Sequence, residues 1–224
     1  MKKFLLILPV IILCIFELGF TNNAWDLFGQ ETEKGSGVLE SKSVDLDDFH
    51  RIKSLGSQDI FIEIGSEQKV IITFDDNLLD NIKTKVRGGT LYIESEGSFS
   101  SKKSCKIDIT VPNLDKITLS GSGDIEIINL NNSVFEYRLS GSGDLKAEGK
   151  VDELDISISG SGDVDTRDLI ASEAFVKISG SGDAKVYAKD YFEGIVSGSG
   201  DIYYYGNPEH ISTSVSGSGD IRKK

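Results

Sequence analysis

From about Ser43 onward the chain alternates apolar and polar residues with a period of two, the signature of half-buried β-strands. DIFIEI (Asp59–Ile64), KVIITF (Lys69–Phe74), TLYIES (Thr90–Ser95) and KIDITV (Lys106–Val111) are the clearest runs before Pro112. One interruption, DDNLLDNIKTKV (75–86), reads either as a short helical turn capped by Asp75 or Asp76, or as a loop followed by a strand. RGG (87–89) is a turn.

From Ile117 the alternation becomes a repeat. The pentapeptide SGSGD begins at Ser120, Ser140, Ser159, Ser179, Ser197 and Ser216, so successive copies start 20, 19, 20, 18 and 19 residues apart. LGSQD (55–59) keeps Gly, Ser and Asp in the same places and reads as an earlier copy. Apolar residues fall one and three positions before each pentapeptide (Leu119 and Ile117, Leu139 and Tyr137, Ile158 and Ile156, with Val215 and Thr213 in the last copy). They recur one and three positions after it (Ile125 and Ile127, Val164 and Thr166, Ile202 and Tyr204). Leu130, Val151, Leu169 and Ala188 add an apolar position in the connections. Each repeat is therefore strand, tight turn, strand, with both strands facing one interior. A single unit cannot bury that face, whereas stacked units cover one another. The expected fold is all-β: a parallel β-solenoid, or a related stack of strand–turn–strand coils, with repeats of about 19 residues.

The turn has to bend at the same place in every coil. Gly121, Gly123 and their equivalents are expected to supply positive φ. The serines are expected to form hydroxyl ladders, and each aspartate to accept a hydrogen bond from a turn amide. Stacking also places Asp59, Asp124, Asp144, Asp163, Asp183, Asp201 and Asp220 in one column. Like charges about 5 Å apart repel by roughly 1 kcal/mol per pair in a watery setting. Backbone donors can offset that. So can Ca²⁺, a hard cation that takes oxygen ligands, which makes Asp124, Asp144, Asp163, Asp183, Asp201 and Asp220 candidate metal ligands. Glycine–aspartate repeats of calcium-binding β-rolls recur every nine residues, however, and here there is one turn per nineteen.

Outward positions carry a second candidate. Tyr187 lies four residues after Asp183, Tyr205 four after Asp201, and Tyr203 two after Asp201. Tyr187 and Tyr205 are expected to be stacked neighbours with Tyr203 alongside. Such a patch can hold sugar rings or a protein partner, or can serve as an aromatic ladder stiffening the stack.

Composition narrows the function. The 224 residues carry a net charge of −12, which opposes nucleic-acid binding. MKKFLLILPVIILCIFELGF (1–20) has the layout of an export signal: two lysines, then an apolar run from Phe4 to Phe16. Cleavage, lipid attachment at Cys14 and retention as an anchor all stay open, although Leu13 is bulky for a lipidation site. Residues 22–37 read as a linker, 38–116 as an N-terminal β region of the same domain, and 117–222 as the repeat solenoid. Apart from Cys14 only Cys105 remains, so no internal disulfide forms within the fold, and Cys105 reads as a small buried residue. His50 and His210 lie in unlike contexts, and no nucleophile motif or phosphate loop occurs. Glycoside hydrolysis needs two carboxylates in distinct environments, whereas the aspartate column is uniform. A polysaccharide-acting enzyme on a β-helix is therefore the lesser reading, and a non-catalytic protein the greater one. The three basic residues Arg222, Lys223 and Lys224 at the last edge favour a monomer.

FHRIKSLGSQDIFIEIGSEQKVIITFDDNLLDNIKTKVRGGTLYIE, VPNLDKITLSGSGD, the repeated SGSGD and the closing YYYGNPEHISTSVSGSGDIRKK resemble the bacterial family called putative auto-transporter adhesin, head GIN domain, over roughly residues 44–222. That resemblance implies an exported β-solenoid of the periplasm, outer membrane or cell surface of a Bacteroidetes-type bacterium. It implies an adhesin-like or scaffold role and brings no catalytic residues or cofactor. A glycan or a surface protein is the partner class that the tyrosines and the flat solenoid faces suggest.

Overall fold

The computed structural model describes residues 32–224. The export segment, Cys14 and most of the expected linker lie outside the described residues. Among the described residues no helix is long and apolar enough to cross a membrane.

In chain order the strands are β1 (Glu33–Lys34), β2 (Leu39–Val44), β3 (Arg51–Leu55), β4 (Asp59–Ile64), β5 (Lys69–Asp75), β6 (Ile82–Arg87), β7 (Thr90–Ser95), β8 (Phe99–Ser100) and β9 (Lys106–Val111). The repeat region supplies β10 (Lys116–Leu119), β11 (Ile125–Leu139), β12 (Leu145–Ile158), β13 (Val164–Ile178), β14 (Ala184–Val196), β15 (Ile202–Tyr205), β16 (His210–Val215) and β17 (Ile221–Lys223). From β10 to β17 every pairing is parallel and runs from one coil to the next, giving a β-solenoid of about five turns. β3 and β4 form the rung before β10 and β11, and beneath them lie β7 and β9. Antiparallel pairings, β6 on β7 and β5 on β9 with β2 outside β5, close that N-terminal pole.

The interior is the one expected from the repeats. Ile117, Leu119, Tyr137, Leu139, Ile156, Ile158, Ile125, Ile127, Val164 and Ile202 are all buried, as are Leu130, Val151, Leu169 and Ala188 from the connections. Thr166 is buried too, and its hydroxyl donates to the Lys185 carbonyl at 3.2 Å. Thr213 and Val215 differ. They face inward but are exposed, since among the described residues no coil covers theirs.

The interrupted stretch resolves as a short 3₁₀ turn (Leu79–Asn81) running directly into β6. Its cap is Leu78, and neither Asp75 nor Asp76 caps it through a side chain. Asp75 is instead buried, where it accepts from the Gly37 amide at 3.0 Å and the Ser101 hydroxyl at 2.5 Å. Gly88 and Gly89 both have positive φ, as the β6–β7 hairpin requires. The last residues read as linker are held in place: β1 pairs with β8, and Ser36 bonds Asp76.

Candidate functional site

The pentapeptide corners form a straight line, but their glycines act differently from the expectation. No turn glycine of the six SGSGD copies has positive φ. The reason is proximity. A Cβ on Gly141 would sit 1.7 Å from the Gly121 carbonyl oxygen, one on Gly160 1.8 Å from Gly141, and one on Gly198 1.9 Å from Gly180. Successive corners nest backbone on backbone, with the Ser142 amide donating to Gly121 at 2.9 Å and the Ser161 amide to Gly141 at 3.0 Å. The early copy shows the rule by exception. Gln58 stands where later coils have their second glycine, in the rung with no corner beneath it, and its side chain folds over Gly56.

The serine ladder forms in part through hydroxyls. Ser140 donates to the Ser120 hydroxyl at 3.0 Å, and Ser159 donates to the Leu139 carbonyl at 3.0 Å. The aspartates are more regular. Each carboxylate accepts the backbone N–H of the aspartate one coil on: Asp59 from Asp124 (3.2 Å), Asp124 from Asp144 (2.9 Å), Asp144 from Asp163 (2.7 Å). The series continues with Asp163 from Asp183 (2.8 Å), Asp183 from Asp201 (2.7 Å) and Asp201 from Asp220 (2.8 Å). Charge-assisted bonds of this kind offset the repulsion along the column. One oxygen of each carboxylate from Asp59 to Asp201 is thereby committed to backbone. Among the described residues, no three Asp, Glu, His or Cys side chains converge where a metal ion could be held.

Beside this column lies an open groove of about 800 Å³. Its floor follows the residues two positions after each aspartate, in register across the coils: Phe61, Glu126, Lys146, Asp165 and Lys185 line it, and Tyr203 and Arg222 continue the row beyond it. Charges alternate along it. Lys146 bridges Glu126 at 3.1 Å, and Arg167 holds the Asp165 carboxyl below its ordinary range. Reading position +2 down the repeats would have found this ladder in the sequence, since the register is set by the aspartates.

The three tyrosines occupy the C-terminal end of that face. Tyr187 and Tyr205 are register partners on β14 and β15, and Tyr203 lies between Lys185 and Arg222. All three are half-buried. The Tyr203 hydroxyl donates to Asp201 at 2.9 Å, which pushes its pKa up, and the Lys224 ammonium lies 4.8 Å from its ring centre. The Arg167 guanidinium lies 5.8 Å from the Tyr205 ring. Each of these two rings thus has a cation over one face.

A second outer surface escaped the sequence reading. Phe175 and Tyr191 have ring centres 5.4 Å apart, and Phe175 follows Asp155 and Glu136 in register. Burial, then the neighbouring Glu136, raises the Asp155 pKa. Glu136, despite partial burial, is lowered by Lys116 at 2.7 Å and by Arg138. Cys105 is buried, and desolvation pushes its thiol up to about 12, so it stays protonated. His50 pairs with Asp115 at 2.5 Å near the N-terminal pole, whereas His210 opens β16 at the other pole.

A family model described as putative auto-transporter adhesin, head GIN domain, matches residues 48–208. The chain belongs to this family. Among solved structures, a putative adhesin from Bacteroides fragilis is similar at 24% identity with a TM-score of 0.72, over 85% of this chain and 99% of that one. A putative lipid binding protein from Parabacteroides distasonis is similar at 27% identity with a TM-score of 0.55, over 87% and 100%. A putative adhesin from Parabacteroides merdae is similar at 22% identity with a TM-score of 0.53, over 85% and 98%. The comparison with curated proteins finds no match. These putative adhesins thus share the fold of this chain.

Proposed function

We propose that this chain is an exported, non-catalytic binding module of the bacterial cell envelope, and that its ligand is a surface glycan. The observation that carries the reading is the pairing of Tyr187 with Tyr205 beside Tyr203, at the end of a groove floored by alternating charges. Aromatic rings present apolar faces to sugar rings, and fixed Lys and Asp side chains supply hydrogen bonds to hydroxyls. Export is supported by the basic-then-apolar start of the sequence and by the adhesins among its structural relatives. A catalytic reading would look to Glu136 and Asp155, where both Glu136 oxygens are engaged by Lys116 and Arg138.

A glycan array probed with the wild-type chain and with Tyr205→Ala tests the proposal. A sugar class bound by the wild type and lost in the variant supports it. Binding that survives Tyr205→Ala and a companion Tyr187→Ala moves the site elsewhere, and retention only of protein ligands replaces the glycan with a surface protein. Mass determination of the N-terminus in the native host distinguishes cleavage, lipidation at Cys14 and retention.

A further inference from the structure

The two poles of the stack differ. At the N-terminal pole the outer strands carry charges, Glu40 and Lys42 on β2 and Lys83, Lys85 and Arg87 on β6, which is how sheet edges are commonly protected. At the C-terminal pole β16 reads HISTSV and contains no Asp, Glu, Lys, Arg or Pro. Every residue of it is exposed, with inward-facing Ile211 at 50% and Val215 at 46% directly above buried Phe192 and Val196. Among the described residues nothing covers the solenoid interior there.

The edge is also self-complementary. The Ser216 amide donates down to Val196, so by the alternation of a parallel ladder the even residues of β16 bond β14. The backbone groups of Ile211, Thr213 and Val215 point away from the stack. The segment Ile211-Ser212-Thr213-Ser214-Val215 is nearly symmetric about Thr213. Turned over on a two-fold axis, it sets Thr213 opposite Thr213 and Ile211 opposite Val215. Each pair then exchanges both of its free backbone hydrogen bonds, and apolar residues meet apolar residues.

We propose that β16 is an interface between two copies of this chain, joined pole to pole by an antiparallel β16–β16 rung that continues both interiors. The basic tail does not oppose this. Arg222 is engaged by Asp220 and Asp201, Lys223 donates to Asn207 at 2.7 Å, and Lys224 lies over Tyr203, so each cation is held against its own copy. Residues 1–31 join at Thr32, beside β1 and β8, where Phe99 packs on Phe74 of β5 at the N-terminal pole. Joining the poles leaves the tyrosine face free.

The test uses the full chain, purified in mild detergent. Sedimentation is expected to show twice the chain's mass for the wild type and a single chain for Thr213→Lys, with unchanged far-ultraviolet dichroism. Under oxidation Thr213→Cys is expected to cross-link to its copy, since opposed Cα atoms of a hydrogen-bonded antiparallel pair are about 5.5 Å apart, within disulfide reach. Ser212→Cys, offset from its own copy, is expected to give no bond beyond the wild-type background. A wild-type chain that sediments as a monomer, a Thr213→Lys dimer, or equal cross-linking at 212 and 213 overturns the proposal.

Discussion

The Oδ1 of Asp163 lies 2.8 Å from the backbone nitrogen of Asp183, one coil further along the stack. The same bond joins Asp144 to Asp163 and Asp183 to Asp201, so each aspartate acts as the acceptor its successor's amide needs. Asparagine keeps that oxygen and loses the charge, whereas alanine loses both. Asp163→Ala is expected to destabilise by about 1–2 kcal/mol in urea unfolding, the cost of leaving an amide without its partner. Asp163→Asn is expected to equal or exceed the wild type at low salt, with the difference shrinking as salt screens the column.

Calcium follows from the same geometry. With one oxygen of each carboxylate from Asp59 to Asp201 bound to backbone, and no convergent set of three ligands among the described residues, added Ca²⁺ is expected to leave the thermal midpoint unchanged. A midpoint that rises with calcium and falls back on chelation would give the column a metal role.

Nested corners leave no room for a side chain. Gly160→Ala places a Cβ 1.8 Å from the Gly141 oxygen, so two coils must separate. A loss of at least about 3 kcal/mol, or failure to fold, is expected, because backbone cannot yield as a flexible side chain does. Gly37→Ala is the contrast: nothing lies within 4 Å, but φ is +84°, and strain alone costs about 1 kcal/mol.

The repeat spacing made the architecture legible before any coordinates, because aligning copies on aspartate also aligns the apolar positions. Ile156, Val176 and Leu169 could be placed inside by counting. The role of the glycines was not legible. Sequence shows that a residue is glycine but not whether torsion or contact demands it, and here contact between coils does. Gln58 held the clue, since the one copy lacking the second glycine is the copy with no corner beneath it. The tyrosine neighbours followed from the same counting, but Lys224 over Tyr203 and Arg167 near Tyr205 did not, because side-chain reach across rungs is not a repeat property. The exposed ends of Ile211 and Val215 were hidden for another reason: an inward pattern says nothing about whether a further coil covers it.

Tyr137 is fully buried, and its hydroxyl has no hydrogen-bond partner among the described residues. Desolvation, then Asp144 and Asp124, pushes its pKa up, so it remains a neutral phenol. Removing an unpaired buried hydroxyl relieves a desolvation penalty of about 1–3 kcal/mol, less the small void left behind. Tyr137→Phe is therefore expected to raise the thermal midpoint, and a lowered midpoint would reveal a bond to ordered water.

Glu136 and Asp155, register partners on β11 and β12, are expected to answer acid in opposite directions. Glu136, partly buried yet held low by Lys116 and Arg138, contributes stability that is present above its unfolded pKa and is lost as pH falls through its lower folded value. Asp155, raised by burial and by Glu136, makes the fold less stable once both states are ionised, and that cost disappears on protonation. Glu136→Gln should thus be less stable than wild type at pH 7 and converge with it in acid. Asp155→Asn should be more stable at pH 7 and converge likewise. Both groups are partly solvated, so differences of a few tenths of a kcal/mol are expected. Paired melts at pH 7 and pH 3 check the signs: Asp155→Asn less stable than wild type at pH 7 would show that its carboxylate, rather than its burial, is what the coil uses.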